Sequence, residues 1–308
     1  MLNSLFVVGG SVLSLFLLMS VGFIFGRKGL LSPQTLSQMS RILLYIVTPC
    51  IMFSSFKVER TAERQSELFA TLAAMTGVYV LYMLLSTLLY PREGPEHRGI
   101  MRFASIYGNT GFMGLPLIQS VMGDEAMMIA VVGLGVFNVA SWTQGRVLMG
   151  GRGEISLKKL ATNPGIIGFV GGLLLFFTGW RFPGPVDSAI VYLGNLNTPL
   201  AMVIVGGQMA QADLPGVLRT KKLYLISAVK LLALPALTAA VLLPFSLDSR
   251  IYIASVILAG CPTAGATSLF AQSMGKDAAF GAQQTTLSTL LCVLTLPLMA
   301  AAASALVS

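Results

Sequence analysis

Two stretches of this chain carry residue types suited to holding an anion. They are Gly108-Asn109-Thr110-Gly111-Phe112-Met113-Gly114-Leu115-Pro116 and Gly260-Cys261-Pro262-Thr263-Ala264-Gly265-Ala266-Thr267-Ser268. Each interrupts an apolar run long enough to cross a bilayer, and the two lie about half a chain apart. Pro116 and Pro262 lack a backbone N–H, which loosens a helical ladder. Gly111, Gly114, Gly260 and Gly265 permit sharp turns and close approach of a ligand. A helix resumed after such a break starts with unpaired N–H groups, equivalent to about half a positive charge. A carboxylate is a natural guest there. Asn109, Thr110, Gly111, Cys261 and Thr263 are the candidate substrate contacts, and Gly114, Pro116, Pro262 and Gly265 the candidate helix breakers. The alternative is helix packing, since small residues and proline are frequent in membrane helices. Against it stands the pairing. Irregular backbone at membrane depth is tolerated only where protein buries it or a cavity lies beside it. A matched pair of interruptions, one per half, points to the binding site of a secondary transporter.

Four further sets of residues could serve that site. Lys230 lies eight residues past Lys222, hence ~12 Å deeper along a helix. A charge at that depth is costly and usually paired or functional. No carboxylate lies near it in its own span, so it is expected to face the break and offset carbonyl ends there, or else to touch the anion. Snorkelling to the surface is the alternative. Asn138, Trp142 and Arg146 recur at steps of four, which puts them on one helix face. Asn138 is a candidate substrate contact or an interhelical bond. Arg146 is expected at the interface or at the inner mouth, steering anions. Thr48 is a further candidate contact, and Asn195, Asn197 and Gln208 could reach the site from a neighbouring span.

These residues need helices to position them. Of 308 residues, 55% are hydrophobic and only 10% charged, with a mean hydropathy of +0.80. Soluble domains carry roughly 25% charged residues, so this is an integral membrane protein. Ten apolar spans are expected, at roughly 4–26, 36–56, 67–90, 100–122, 126–149, 162–180, 188–210, 222–244, 250–274 and 279–305. The first, followed by Arg27 and Lys28, is too long for a signal-peptide core and reads as a retained helix. Fourteen of the twenty basic residues, Arg152 among them, fall in loops after odd spans and five after even spans, leaving Lys230 within the eighth. That asymmetry puts the odd loops in the cytoplasm and both termini outside, in the periplasm if the membrane is a bacterial inner membrane.

Several classes of function are excluded. The net charge of +8 is scattered singly between apolar runs, which is no nucleic-acid footprint. One histidine and three separated cysteines, Cys50, Cys261 and Cys292, supply no metal site, and no cofactor is called for. An enzyme is disfavoured because the hydroxyl residues have no histidine or deep carboxylate as base. All twelve acidic residues fall in loops or at span ends. A carrier built this way is expected to be driven by potential, or by a proton crossing on the substrate. A channel would need a continuous polar stripe, and the polar residues cluster at mid-depth.

Faint echoes join the halves. Met122-Gly123 then Glu125-Ala126 recurs as Met274-Gly275 then Asp277-Ala278, 152 residues on. Arg98 and Arg250 share that offset, and Thr48-Pro49 recurs as Thr198-Pro199 at offset 150. Five spans per half require the halves to be inverted.

The wording around these residues is familiar. Tyr45-Ile46-Val47-Thr48-Pro49, Tyr107 through Leu117, Trp142-Thr143-Gln144-Gly145, Asn163-Pro164, Thr198-Pro199-Leu200-Ala201-Met202 and Leu296-Pro297-Leu298 together resemble the auxin efflux carrier family, bacterial branch, over essentially the whole chain. The resemblance implies an all-α membrane protein of ten transmembrane helices. They form two inverted five-helix repeats with broken helices 4 and 9 crossed, akin to bile-acid/sodium symporters and sodium–proton antiporters. It implies a scaffold domain (1–60 and 155–215; helices 1, 2, 6 and 7) that forms homodimers. A transport domain (61–154 and 216–308; helices 3–5 and 8–10) would move past it, as an elevator does. It implies small organic anions as substrates, carried by alternating access, with protons or sodium as possible coupling partners. A sodium-coupled symporter of the bile-acid type and, more remotely, an anion channel are the competing readings.

Overall fold

The computed structural model describes residues 2–151 and 156–307, with side chains from Gly9 onward. Arg152 lies outside the described residues. Regular structure among them is helical, apart from one isolated antiparallel bridge between Gly108 and Thr263. Lipid offers no partner for backbone N–H and C=O groups, so an apolar chain crossing it closes its bonds within helices.

Among the described residues, seven helices are long and apolar enough to cross a membrane by length and composition. They are α1 (Leu2–Arg27), α2 (Pro33–Ser55), α3 (Ala62–Ser86), α6 (Asp124–Gly150), α8 (Gly184–Ala210), α9 (Lys221–Phe245) and α12 (Ala278–Val307). Shorter pieces lie between them: α4 (Pro95–Ile106), α5 (110–122), α7 (Pro164–Thr178), α10 (Ser249–Gly260) and α11 (Ala266–Ser273). The spans expected to be interrupted, at 100–122 and 250–274, are each two helices, α4–α5 and α10–α11, parted by unwound chain. The expected span at 162–180 is the 15-residue α7.

Local signals set the ends. Ser32 accepts from the Thr35 N–H before α2, and Asn163 accepts from the Ile166 N–H before α7, each with proline at the first helical position, where its missing N–H costs nothing. α3 begins five residues before the expected span, because Thr61 caps it through the Arg64 N–H. That early start corrects the reading of the acidic residues. Glu67, though near a helix end, is buried and ion-paired to Arg64 at 2.7 Å and to Arg250 of α10 at 3.4 Å.

Three helices carry a widened turn two residues ahead of a proline. Leu43–Val47 precedes Pro49, Thr110–Gly114 precedes Pro116, and Val229–Ala233 precedes Pro235. A proline ring collides with the carbonyl four residues back, and in each case that residue lies within the widened turn, which takes up the strain. The helical pattern of α8 is interrupted at Leu196, three residues before Pro199.

α1 packs closely along α8. A Cβ added at Gly206 would fall on the Met19 carbonyl, and one at Gly26 would meet Ala210 at 2.7 Å. Small residues permit this approach, the usual means by which helices associate in lipid. α6 is the most buried of the long helices and touches α3, α5, α7 and α10. The first unwound segment rests on it, with the Tyr107 hydroxyl donating to the Ala140 carbonyl at 3.0 Å and Gly111 facing Leu134.

Candidate functional site

The two unwound segments pair with each other. The Asn109 N–H donates to the Pro262 carbonyl at 2.6 Å, and the Ala264 N–H donates to the Tyr107 carbonyl at 2.9 Å, flanking the Gly108–Thr263 bridge. Buried backbone groups released by unwinding must find partners, and here each segment supplies the other's. Pro262 contributes only its carbonyl, so the N–H it lacks is never required. The contact continues into the helices, since a Cβ on Gly114 would lie 2.8 Å from Leu258 and 3.4 Å from the Cys261 sulfur.

Lys230 sits where the first halves end. Its ammonium donates to the Ala259 carbonyl at 2.9 Å and to the Ile106 carbonyl at 3.4 Å, the last turns of α10 and α4. Helix C-termini carry partial negative charge, and one cation neutralises two of them. The side chain is 1% exposed, so it does not snorkel to the surface. Beside it lies a cavity of about 10 Å³, lined by Tyr79, Tyr82, Thr110 and Ser255 among others, close to the space one water needs.

The hydroxyl and amide residues picked out by sequence are mostly engaged by backbone. Thr263 Oγ1 donates to the Ala104 carbonyl at 2.9 Å, and its N–H donates to Ser288 Oγ at 3.0 Å. Thr110 Oγ1 donates to the Gly108 carbonyl at 3.3 Å. Asn109 acts as a helix cap, its Oδ1 accepting from the Phe112 N–H at 3.3 Å, while its Nδ2 makes no hydrogen bond among the described residues. Cys261 is buried with its thiol on the Ile257 carbonyl. Thr48 turns back on its own helix and closes the widened turn at the Leu43 carbonyl, 2.8 Å away. Asn138 Nδ2 donates to the Leu134 carbonyl at 2.9 Å, and its amide faces Gly165 at the start of α7. Gly111 has only Leu134 near it, and Gly265 opens onto free space. Pro116 lies buried in α5, behind its widened turn. The structure therefore gathers Asn109, Thr110, Gly111, Gly114, Cys261, Pro262, Thr263 and Lys230 around one pairing, with Thr48 and Asn138 on the surrounding helices. Arg146 is buried beneath the rings of Trp142 and Phe270, 5.9 and 5.3 Å away, rather than open at a mouth.

Sequence reasoning passed over an aromatic shell. Tyr79 stacks on Tyr107 at 5.9 Å, and Tyr82 donates to the Leu234 carbonyl and meets Thr238. Tyr79 also borders a crevice of about 270 Å³ between α3, α6 and α7. The signal available was two tyrosines three apart in the apolar later turns of α3, which share a face.

A polytopic helical protein with two broken stretches bonded to each other around a buried cation has the architecture of a solute transporter rather than of an enzyme. Comparison with known proteins agrees. The family described as "Membrane transport protein", to which the auxin efflux carrier-like proteins belong, matches residues 7–158 and 151–300, and the chain belongs to that family. It is similar to an "Uncharacterized transporter" of Methanothermobacter thermautotrophicus, 23% identical over 295 residues, 94% of this chain and 96% of that one. It is also similar to a "Putative malonate transporter" of Rhizobium meliloti, 24% identical over 302 residues, 94% of this chain and 93% of the relative.

Proposed function

We propose that the protein is a secondary carrier that moves small carboxylate anions by alternating access. The observation that carries this reading is the pairing of 107–109 with 262–264 beside Lys230. It gathers helix ends of both signs at one place, with the negative ends already offset, so that an anion meets N–H groups and a nearby cation. The name of the Rhizobium meliloti relative supports a short dicarboxylate such as malonate.

In this reading the chain has ten membrane-spanning segments in two inverted halves, with α4–α5 and α10–α11 as the crossed, broken pair. Gly123 and Gly275, 152 residues apart, both take positive φ just after a second half-helix (+79° and +65°), which supports the repeat. The scaffold is α1, α2, α7 and α8, paired with a second copy. The transport domain is α3–α6 and α9–α12. The described residues show two polar links between them. Ser11 and Ser120 exchange hydroxyl–carbonyl bonds, and Thr198 donates to Gln119 Oε1 at 3.0 Å. Such a sparsely bonded boundary suits sliding. Both termini face outward, and the membrane is a bacterial inner membrane.

A sodium-coupled symporter is the second reading, favoured by two buried oxygens without partners, Thr267 Oγ1 and Gln284 Oε1. The experiment is malonate flux in proteoliposomes. An imposed potential of 100 mV supplies about 2.3 kcal/mol per charge, enough for roughly fiftyfold accumulation. Flux that follows the potential without sodium is expected, and strict dependence on sodium would favour the symporter.

A further inference from the structure

Asn197 begins the second stretch of α8, just past the interruption at Leu196. It is 1% exposed, and neither its Oδ1 nor its Nδ2 has a hydrogen-bond partner among the described residues. It is alone in this among the amide side chains of the described residues. Buried polar atoms are nearly always paired, and surrounding lipid offers nothing in exchange. An amide bare at both ends can be met by one group that both accepts and donates.

Its surroundings place that amide at the boundary between the two proposed domains. α1 occupies the face of α8 formed by Val203, Gly206 and Ala210. Asn197, Ala201 and Ile204, spaced four and then three residues apart, form another stripe, roughly 120° or more round the helix. All three are buried. The remaining neighbours of this stretch include the widened turns Leu43–Val47 of α2 and Thr110–Gly114 of α5. The adjoining residue, Thr198, already bonds to Gln119 of α5.

We propose that Asn197 receives a carboxyl group of the substrate in its protonated, neutral form. Nδ2 donates to the carboxyl C=O, and Oδ1 accepts the carboxyl O–H, closing a two-bond ring. A carboxylate has no proton to give and would leave Oδ1 bare. For a dicarboxylic acid the transported species is then the monoanion. Its charged end lies toward the paired breaks and its neutral end on Asn197. The proton enters and leaves with the substrate, and no protein group gains or loses one. This rests on the reading of the protein as a carboxylate carrier. It gives such a carrier proton coupling although Glu67, a buried carboxylate, is held in ion pairs at a helix end.

Other titratable groups near the amide are few. On the packed elements Arg27, Arg41 and Tyr45 are exposed and Cys50 is half-buried, while 110–122 carries none. Asp124, beyond it, accepts from Gln119 Nε2 at 3.0 Å. On α8 itself Asp187 pairs with Lys57 and Tyr192 is exposed. A pH response arising from any of these would survive removal of the amide.

The test is calorimetric binding to the full-length protein in nanodiscs. Three ligands are compared across pH: malonate, malonamate, whose amide keeps a donor and an acceptor, and monomethyl malonate, whose ester has no donor. In the wild type, malonate affinity should rise about tenfold per unit fall in pH above the second carboxyl's own titration, because only the protonated fraction binds. Malonamate should bind without that slope, and the ester about tenfold more weakly than malonamate. In Asn197→Leu the slope should vanish and the three ligands converge. A flat or rising malonate affinity with pH in the wild type, or an ester that equals malonamate, overturns the inference while leaving the carrier reading intact. A wild type that binds none of the three at any pH overturns both. Should Asn197→Leu fail to fold, the wild-type comparison of amide with ester decides.

Discussion

Replacing Lys230 with methionine separates its electrostatic role from its packing. The ammonium makes one good bond, to the Ala259 carbonyl at 2.9 Å, and one long one, to the Ile106 carbonyl at 3.4 Å. A hydrogen bond to a charged group contributes about 1.5–3 kcal/mol. Methionine forfeits that, but it also removes a charge from a site where charge is costly to bury, and it fills a similar volume. These effects oppose each other, so the fold is expected to lose no more than about 2 kcal/mol. Binding has no such compensation. Taking the guest carboxylate to bind about 8 Å from the ammonium, at an effective dielectric of about 20, the lost attraction is about 2 kcal/mol, or roughly thirtyfold in affinity. The assay is malonate titration of purified variants alongside thermal melting. Lys230→Met should bind roughly thirtyfold more weakly, by the same estimate, with a modest change in melting. Lys230→Arg, which keeps the charge, should lose much less. Wild-type affinity in the methionine variant refutes the reasoning. So does an arginine variant that folds yet loses as much as methionine.

Two further predictions concern the supports of the site. Thr263→Val keeps the side-chain shape and the Thr263 N–H to Ser288 bond but strands the Ala104 carbonyl. Thermal melting should register a loss of about 1 kcal/mol, with malonate affinity little changed. At the loop before α12, the Asp277 carboxyl is held below its ordinary range, first by the Phe280 N–H and then by His97. A depressed carboxyl stabilises the fold above its unfolded pKa of about 4 and loses that contribution as pH falls through its folded value. Melting temperature should therefore decline on acidification, and Asp277→Asn should flatten that acid limb.

Much of the site could be read from residue types, and its connections could not. The glycines and prolines of 108–116 and 260–265 announce breaks because their chemistry is local. Which carbonyl receives the Asn109 N–H depends on how two segments about 150 residues apart approach each other, and no local pattern encodes that. The depth of Lys230 followed from counting along a helix. Its partners did not, since Ala259 and Ile106 contribute backbone rather than side chains. Thr48, Thr110 and Thr263 looked like free hydroxyls for a ligand. In lipid, with no water to satisfy them, they turn instead to the nearest carbonyl. Glu67 was misjudged for a similar reason. Arg64 and Arg250 neutralise it, so a helix that seemed to begin at residue 67 accepts charged residues from Ala62 onward. Prolines caused the remaining ambiguity. Pro49, Pro116 and Pro235 sit within helical stretches behind widened turns and Pro199 behind an interruption at Leu196, while the chain unwinds elsewhere, at 107–109 and 261–264.

The most direct measurement is the structure of the protein with bromomalonate bound, in which anomalous scattering locates the bromine without reference to side-chain interpretation. A single peak adjoining Asn109 and Thr110, on the side of the paired segments facing α8, is the predicted result. A peak elsewhere, with the pairing of 107–109 and 262–264 intact and unliganded, would contradict the account.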